Sequence, residues 1–269
     1  MTYVNVQGEE VPAIGYGTWG LRGDECTRAV ADALAIGYRH LDTAEGYDNE
    51  EAVGRGIAES SVPRDDIFLT TKVWIGGESR DDVLRRGIGC LKRLRVDYVD
   101  LLLIHWPTHD MDLPGALDAM MQLHESGRVR HIGVSNFTPR LLEEALGLAP
   151  IFCNQVEYHP YLDQSELLGC ARKYDMLFAA YSPVAKGKVA HDPVLAEMGR
   201  RHGKSATQIA IRWLIQQEHV ATIPKAASAE HRRSNIDVFD FELGPDEMDA
   251  IFALARNERI VDPEWAPWA

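Results

Sequence analysis

Short runs of apolar and β-branched residues recur along the chain, separated by longer segments with helical periodicity. In the run LLLI, residues 101–104, the apolar residues follow one another without alternation. Such a pattern is typical of a strand that is covered on both faces, as in a parallel sheet. We predict eight strands of this kind, within residues 12–19, 39–44, 67–74, 99–106, 131–137, 153–159, 177–183 and 221–226.

The repeated alternation of strand and helix predicts an α/β fold, a parallel (β/α)8 TIM barrel. An open, doubly wound sheet is the alternative, but no GxGxxG motif opens the first strand–helix turn. The leading segment YVNVQGEEV predicts a short N-terminal β-hairpin with Gly8 in its turn. No linker rich in Pro, Gly or Ser divides the chain, and we therefore expect residues 1–269 to form one domain.

Composition and charge narrow the classes of partner. Acidic residues outnumber basic residues by 41 to 28, which argues against binding to nucleic acid or to an anionic membrane surface. No apolar stretch approaches the ~18 residues of a membrane-spanning helix, and the N-terminus lacks the pattern of a secretory signal. The four cysteines have no metal-like spacing, so we expect reduced thiols, no metal site and a cytoplasmic location. We also expect a monomer.

Polar or aromatic residues stand at the C-terminal end of every predicted strand. Barrel enzymes build their active sites at that end. One polar strand end is common in any protein, but eight on the same face of one barrel favour a functional site. These residues are Trp19, Asp42, Lys72 with Trp74, His105 with Trp106, Ser135 with Asn136, Gln155, Tyr181 with Ser182, and Lys225.

Four of the side chains near these strand ends suggest a reaction. A phenol with a pKa near ~10 is a weak acid at neutral pH, and a neighbouring ammonium group lowers that pKa. Lys72 could supply the ammonium group, Asp42 could hold it, and Tyr47 would then be a general acid. His105 could orient a substrate carbonyl. This set suits carbonyl reduction, for which a nicotinamide cofactor must supply the hydride.

The sequence resembles the aldo-keto reductases over essentially its whole length. The matching stretches are LDTAEGYDNE, LTTKVW, LLLIHWP, IGVSNF, NQVEYHP and IPKA, in this order. The resemblance implies that Asp42, Tyr47, Lys72 and His105 are the catalytic residues, with Tyr47 as the proton donor. The compact length and the ending NERIVDPEWAPW are similar to those of small bacterial members of the 2,5-diketo-D-gluconate reductase type. Members of that kind reduce methylglyoxal and other α-keto aldehydes or esters.

The resemblance also implies a set of cofactor-binding residues. Many NADP-dependent members follow the equivalent of Lys225 with a serine and place an arginine six residues after the lysine. Here Ala226 and His231 stand at those positions. We therefore expect NADP(H) as the cofactor, with NAD(H) also usable. The implied residues are Ser135, Asn136 and Gln155 at the nicotinamide carboxamide, Tyr181 on the nicotinamide ring, Ser182 at the pyrophosphate, and Lys225, His231 and Asn235 near the adenosine.

Tryptophans provide the apolar wall that a ligand pocket requires. Trp19, Trp74 and Trp106 stand at catalytic strand ends, and Trp268, with Trp265, lies in the C-terminal tail. The loop after HWP is short, which predicts a shallow, open pocket and broad specificity. Two further predictions concern polar residues: Asn49 caps the helix that follows it, and Glu157 has either a role in the site or a structural hydrogen-bonding role.

Two other functions fit parts of the same pattern. A metal-dependent barrel hydrolase could use His40, Asp42 and His105 as ligands, but it leaves Tyr47 and Lys72 without roles and lacks a clear further ligand. A non-catalytic, cofactor-sensing protein could use the same scaffold. The intact set of four catalytic residues argues against that second alternative.

Overall fold

The chain begins with an antiparallel hairpin in the computed structural model, which describes residues 2–74, 76–77 and 79–268. Strand β1 (Tyr3–Val6) pairs with β2 (Glu9–Pro12). The two turn residues between them, Gln7 and Gly8, both have positive φ values (50° and 79°), as a two-residue type I′ turn requires. This confirms the predicted hairpin and the place of Gly8 in it.

Eight parallel strands form the barrel, and strands that are consecutive in sequence are hydrogen-bonded to each other. Isolated bridges from Ile14 to Thr222 and from Gly17 to Lys225 join the first strand to the last. A Cβ atom on Gly17 would lie 2.8 Å from the carbonyl oxygen of Ile223, so this close approach requires glycine. The predicted (β/α)8 barrel is confirmed. Its strands are β3 (Tyr16–Gly17), β4 (His40–Asp42), β5 (Phe68–Val73), β6 (Val99–Ile104), β7 (Val129–Ser135), β8 (Cys153–Glu157), β9 (Leu177–Tyr181) and β10 (Val220–Thr222).

Helices follow the strands and cover the outside of the barrel. They are α1 (Gly23–Ala35), α2 (Glu50–Glu59), α3 (Arg80–Leu94), α4 (Leu113–Glu125), α5 (Pro139–Leu146), α6 (Ser165–Lys173), α7 (Pro193–His202), α8 (Ala206–Ile215), α9 (Ala229–Ile236) and α10 (Pro245–Phe252). Trp213 of α8 is 1% exposed and lies in the core, as its apolar neighbours predict. None of the helices in the described residues is both long and apolar enough to cross a membrane.

The N-terminal end of the barrel holds a buried charged cluster. Asp100, the second residue of β6, is 2% exposed. Its carboxylate accepts hydrogen bonds from Arg64 at 2.7 Å and from the backbone N–H of Leu69 at 2.9 Å, and it pairs with Arg130 at 3.1 Å. Both guanidinium groups also lie over the ring of Tyr98. An aspartate within an otherwise apolar strand is therefore fully paired, and it ties β5, β6 and β7 together.

Candidate active site

The catalytic residues implied by the resemblance converge at the C-terminal end of the barrel. Asp42 is the last residue of β4, Lys72 is the fifth of the six residues of β5, and His105 directly follows β6. Tyr47 ends a 3-10 turn, Glu45–Tyr47, which stops at Asp48 in the left-handed conformation (φ 53°). This turn brings the phenol of Tyr47 back over the strand ends.

Lys72 is the centre of the hydrogen-bond network. Its Nζ atom donates to Oδ1 of Asp42 at 2.6 Å, to the carbonyl oxygen of Thr43 at 2.9 Å and to the phenol oxygen of Tyr47 at 3.2 Å. An ammonium group has three donors, and all three are used here. Because the Tyr47 oxygen accepts from Lys72, the phenol keeps its own proton for donation elsewhere.

The electrostatics of the pair differ in one respect from the sequence expectation. Burial raises the pKa of Tyr47, and the Lys72 ammonium lowers it, but the net direction is upward. For Lys72, burial lowers the pKa, while Asp42 and Tyr47 raise it, and the net direction is again upward. The expected lowering of the Tyr47 pKa by the ammonium is present, but burial outweighs it. Tyr47 is therefore protonated at neutral pH, as a proton donor must be.

His105 stands beside the phenol as a neutral imidazole. Its ring meets the ring of Tyr47 edge to face, with centroids 5.5 Å apart. Burial, with a smaller effect from Lys72, lowers the pKa of His105 to about 3. The buried Nδ1 atom has no hydrogen-bond partner among the described residues. A neutral imidazole carries one N–H group, so His105 can donate a hydrogen bond without adding positive charge.

The residues implied for the nicotinamide end form one hydrogen-bonded group. Gln155 donates from Nε2 to Oδ2 of Asp42 at 2.7 Å, and Ser135 donates to the Gln155 carbonyl oxygen at 2.8 Å. Asn136, with a positive φ of 64°, donates to the His105 carbonyl oxygen and accepts the Tyr181 hydroxyl at 2.7 Å. The network links these residues to Asp42 and His105, and the ring of Tyr181 remains partly exposed.

The residues implied for the pyrophosphate and adenosine are more exposed. Ser182 follows β9 with a φ of 52° and is half-buried. Lys225 and His231 are exposed, whereas Asn235 is buried on α9. Within the described residues, no carboxylate forms an ion pair with either Lys225 or His231.

Arg232, which follows His231, is not free to reach a ligand. Its side chain is buried, and its guanidinium group donates to Asp32 at 2.7 Å and to the carbonyl oxygen of Ala227 at 2.6 Å. The neighbouring Arg233 is exposed and lies 3.7 Å from Asp32. Arg232 therefore cannot replace the arginine that is missing at position 231.

Three of the four tryptophans predicted for the pocket belong to one aromatic cluster, which meets the catalytic residues at His105. Trp74 meets His105 edge to face at 5.7 Å, and Trp106 packs against Trp268 at 5.5 Å. Trp19 is 64% exposed and contacts no other aromatic ring of the described chain. Trp265, named with Trp268 as the second tryptophan of the tail, contacts both Trp74 at 5.3 Å and Trp106 at 4.9 Å. The loop after HWP is short, as expected, but the tail adds a second aromatic wall.

Asn49 supports the site in a way that the sequence does not reveal. It stands at the N-cap position of α2, but its side chain makes no capping hydrogen bond. Its Nδ2 atom donates to the carbonyl oxygens of Thr18 and Leu21, at 2.9 and 3.0 Å. The predicted helix cap is therefore wrong, because the amide holds the loop after β3, where Thr18 donates to the carbonyl oxygen of Asp42.

The ligand set of the alternative hydrolase does not assemble. The ring nitrogens of His40 face the Pro12 carbonyl oxygen and the Thr70 hydroxyl, and Asp42 is bonded to Lys72 and Gln155. Across residues 2–74, 76–77 and 79–268, no group of three or more His, Cys, Asp and Glu side chains is placed to hold a metal ion.

Comparison with known proteins supports the same conclusion as the geometry. Residues 13–256 match the aldo/keto reductase family. The chain is 41% identical to glyoxal reductase of Bacillus subtilis over 94% of this chain and 92% of that one. It is 37% identical to methylglyoxal reductase DkgB of Escherichia coli O157:H7, over 94% and 97% of the two chains. A crystal structure described as a 2,5-diketo-D-gluconic acid reductase B superposes with a TM-score of 0.96 at 45% identity, covering 99% of this chain and 96% of that chain. The protein therefore belongs to the aldo/keto reductase family and is an oxidoreductase.

Proposed function

We propose that this protein reduces small aldehydes and ketones to alcohols, with NADP(H) as its cofactor and Tyr47 as the proton donor. The substrate class comprises α-keto aldehydes such as methylglyoxal, keto esters, and sugar acids of the diketo-gluconate type. One observation carries the proposal. Lys72 donates to both Asp42 and the Tyr47 oxygen, and so it leaves the phenol proton free for a substrate.

The mechanism assigns each polar group a separate task. The cofactor, when bound, supplies the hydride to the carbonyl carbon. Tyr47 gives its proton to the carbonyl oxygen, and the Lys72 ammonium, held by Asp42, stabilises the phenolate that remains. His105 donates a hydrogen bond to the same oxygen and orients it. Because the imidazole is neutral, it does not compete with Lys72 for the negative charge of the phenolate.

The chemistry of the available groups fits a nicotinamide dinucleotide. Ser135, Asn136 and Gln155 would hold the carboxamide, and the partly exposed ring of Tyr181 offers a stacking face. We assign Ser182 to the pyrophosphate, and Lys225, His231 and Asn235 to the adenosine end. Lys225 is an exposed cation suited to a 2′-phosphate. We also propose that the enzyme is a cytoplasmic monomer; the four cysteines are free thiols in the structure, which supports a reducing compartment.

The first test is turnover with a panel of carbonyl compounds. We expect the wild-type enzyme to oxidise NADPH with methylglyoxal and other α-keto aldehydes. Tyr47→Phe keeps the ring and removes the transferable proton, so its kcat should fall by at least ~10²-fold while its affinity for NADPH stays nearly unchanged. Steady-state kinetics and cofactor titration measure both. Wild-type turnover in the variant would refute the role of Tyr47, and no turnover of any carbonyl by the wild type would refute the proposed function.

The second test concerns the cofactor. With Lys225 present but His231 in place of an arginine, we expect NADPH to be favoured and NADH to be usable. His231→Arg should tighten NADPH by about three- to tenfold, because position 231 is exposed and a solvated charge pair contributes only about 1 kcal/mol. The variant His231→Gln is the neutral control. Titration by tryptophan fluorescence measures the three proteins with each of the two cofactors, and equal tightening of NADH and NADPH in His231→Arg would show that residue 231 does not face the phosphate.

A further inference from the structure

The tail, residues 253–268, carries Trp265 and Trp268 to the mouth of the barrel. Two of its backbone N–H groups, those of Arg256 and Glu258, donate to the carbonyl oxygen of Tyr161 at 3.1 and 3.0 Å. The guanidinium group of Arg256 also lies 4.1 Å from the centre of the Tyr161 ring. The loop that follows β8 is therefore the first place where the tail attaches to the barrel.

A buried carboxylate makes the second attachment. Glu157, the last residue of β8, is 0% exposed. Its Oε1 atom accepts the backbone N–H of Ile260 at 2.7 Å, and its Oε2 atom accepts that of Val261 at 2.8 Å. These two donors lie 103 and 104 residues further along the chain. One side chain thus binds two consecutive amides of the tail, directly before the segment that bears the tryptophans.

His159 forms a hydrogen bond with the same carboxylate. Its Nε2 atom lies 2.8 Å from Oε1 of Glu157, and its Nδ1 atom accepts the backbone N–H of Tyr161 at 3.3 Å. Because Nδ1 accepts, the proton resides on Nε2, which donates to the carboxylate. His159 is also 0% exposed, so water cannot replace this donor.

The tail and the carboxylate depend on each other. Burial alone would raise the pKa of Glu157, but hydrogen bonds from His159, Val261 and Ile260 outweigh it and lower the pKa. A buried carboxylate is stable only while such donors are present. If the tail left, Glu157 would lose two of these donors. The free energy of the buried charge therefore favours the docked tail.

Apolar packing alone does not hold the tail in place. A cavity of about 290 Å³ lies between the tail and the loops after β7 and β8, and Trp268 and Arg259 line it. Trp265 is 52% exposed despite its ring contacts. The apolar packing of the tail is therefore incomplete, and polar contacts, among them those of Glu157, contribute to its position.

We propose that Glu157, supported by His159, is a positioning residue: it holds Trp265 and Trp268 against the catalytic pocket and so sets the affinity for carbonyl substrates with bulky apolar groups. Gln155, two residues earlier on the same face of β8, bonds to catalytic Asp42. One strand therefore carries both a contact to the catalytic residues and the anchor of the pocket wall. The kinetic part of this inference rests on the proposed carbonyl reduction.

The test compares two substrates in the full-length enzyme with NADPH. Glu157→Gln keeps the size of the side chain but replaces one carboxylate oxygen with an NH2 group. That NH2 group cannot accept the hydrogen bond from the backbone N–H that the oxygen accepted. We expect the KM for phenylglyoxal to rise about tenfold, as for one or two lost charge-assisted hydrogen bonds, with kcat within about threefold. The KM for glyoxal, which has no apolar group, should change less than about threefold. His159→Leu should act like Glu157→Gln, whereas His159→Gln, which keeps an N–H donor, should restore most of the affinity.

A second variant acts from the side of the tail. Ile260→Pro removes one of the two amide donors without changing the barrel, and it should raise the KM for phenylglyoxal in the same way. In a chain that ends at Arg259, Glu157→Gln should have no further effect on that KM, because the two changes act through one contact. An equal effect of Glu157→Gln in both chain lengths would overturn the proposal, and so would a matching loss of NADPH affinity.

A readout independent of turnover separates this proposal from the proposed function. Release of the tail frees the chain around Arg259, so trypsin should cut after it at least fivefold faster in Glu157→Gln and in His159→Leu, as expected for local opening. Lys173, on α6, provides an internal reference site. Unchanged cleavage after Arg259 would refute the anchor even if the enzyme reduces carbonyls. Faster cleavage in an enzyme that reduced none of them would confirm the anchor and refute only the reaction.

Discussion

The two ends of the barrel each bury an aspartate that pairs with a cation, but the surroundings of the cations differ. Asp100 at the N-terminal end pairs with Arg64 and Arg130, whose side chains are 19% and 44% exposed. Asp42 at the C-terminal end pairs with Lys72, whose side chain is 1% exposed. Water can solvate the first two cations when their partner is lost, and it cannot reach the third.

The difference separates stability from chemistry. At the N-terminal end the groups that donate to Asp100 are guanidinium and backbone N–H groups, which do not transfer protons at neutral pH. At the C-terminal end the third donor of Lys72 is directed to Tyr47, which keeps a proton that a substrate can take. A similar ion pair therefore stabilises the fold at one end and, in the proposed function, prepares an acid at the other. Substitutions at the two ends should separate these roles.

Lys72→Met should produce the largest loss of stability. It leaves the buried carboxylate of Asp42 with Gln155 but without its cation, which costs about 3–5 kcal/mol of unfolding free energy for pairs of this kind. It should also raise the pKa of Tyr47 further and reduce kcat. Urea denaturation measures the first effect. The double variant Asp42→Asn with Lys72→Met should recover part of the stability but none of the activity, and a loss below about 1 kcal/mol in the single variant would contradict a shared buried pair.

Asp100→Asn should reduce the stability of the fold less than Lys72→Met does, and it should leave the reaction unchanged. The amide keeps one acceptor, and water solvates the two arginines, so we expect a loss of about 1–3 kcal/mol in unfolding free energy. The values of kcat and KM should remain within about twofold of the wild type, since barrel positions at this end support stability. A tenfold fall in kcat would show that the two ends are coupled.

At neutral pH, titration of His105 should have the smallest effect, and its contribution should grow only in acid. Its pKa is lowered to about 3 in the fold, mainly by burial, against about 6.5 in an unfolded chain. Below pH 6.5 the unfolded state therefore binds a proton that the folded state excludes. The free energy of unfolding decreases as the pH is lowered, by up to about 1.4 kcal/mol per pH unit. His105→Gln should remove this contribution to the dependence of unfolding free energy on pH between pH 6 and pH 4. Parallel curves for variant and wild type would mean that His105 is not buried as a neutral ring.

His40 provides the matched control for this titration. It is buried further from the barrel mouth, and burial lowers its pKa as well. His40→Gln should therefore change the slope of stability in the same direction while leaving the pH dependence of kcat unchanged. A change in the kcat profile with His40→Gln would place that ring closer to the reaction than its contacts with Pro12 and Thr70 indicate.

Local patterns in the chain are enough to predict the barrel and the positions of its polar strand ends. Apolar runs and helical periods are local patterns, and strands that end in the same direction bring their last residues to one face. For that reason Asp42, Lys72 and His105 could be predicted as neighbours before any contact was known. The spacing from Asp42 to Tyr47 is also local, and one short turn closes it.

The remaining contacts depend on long-range packing, which no local pattern specifies. The Asn49 side chain donates to the carbonyl oxygens of Thr18 and Leu21 instead of capping its helix. Glu157 accepts from backbone amides 103 and 104 residues away, and the ring of Trp265 packs against Trp74. The net direction of the Tyr47 pKa also depends on burial, which no motif specifies. Local sequence pattern determines the position of a residue within its strand, helix or turn. Its hydrogen-bond partners depend on which distant segments packing brings within about 3 Å.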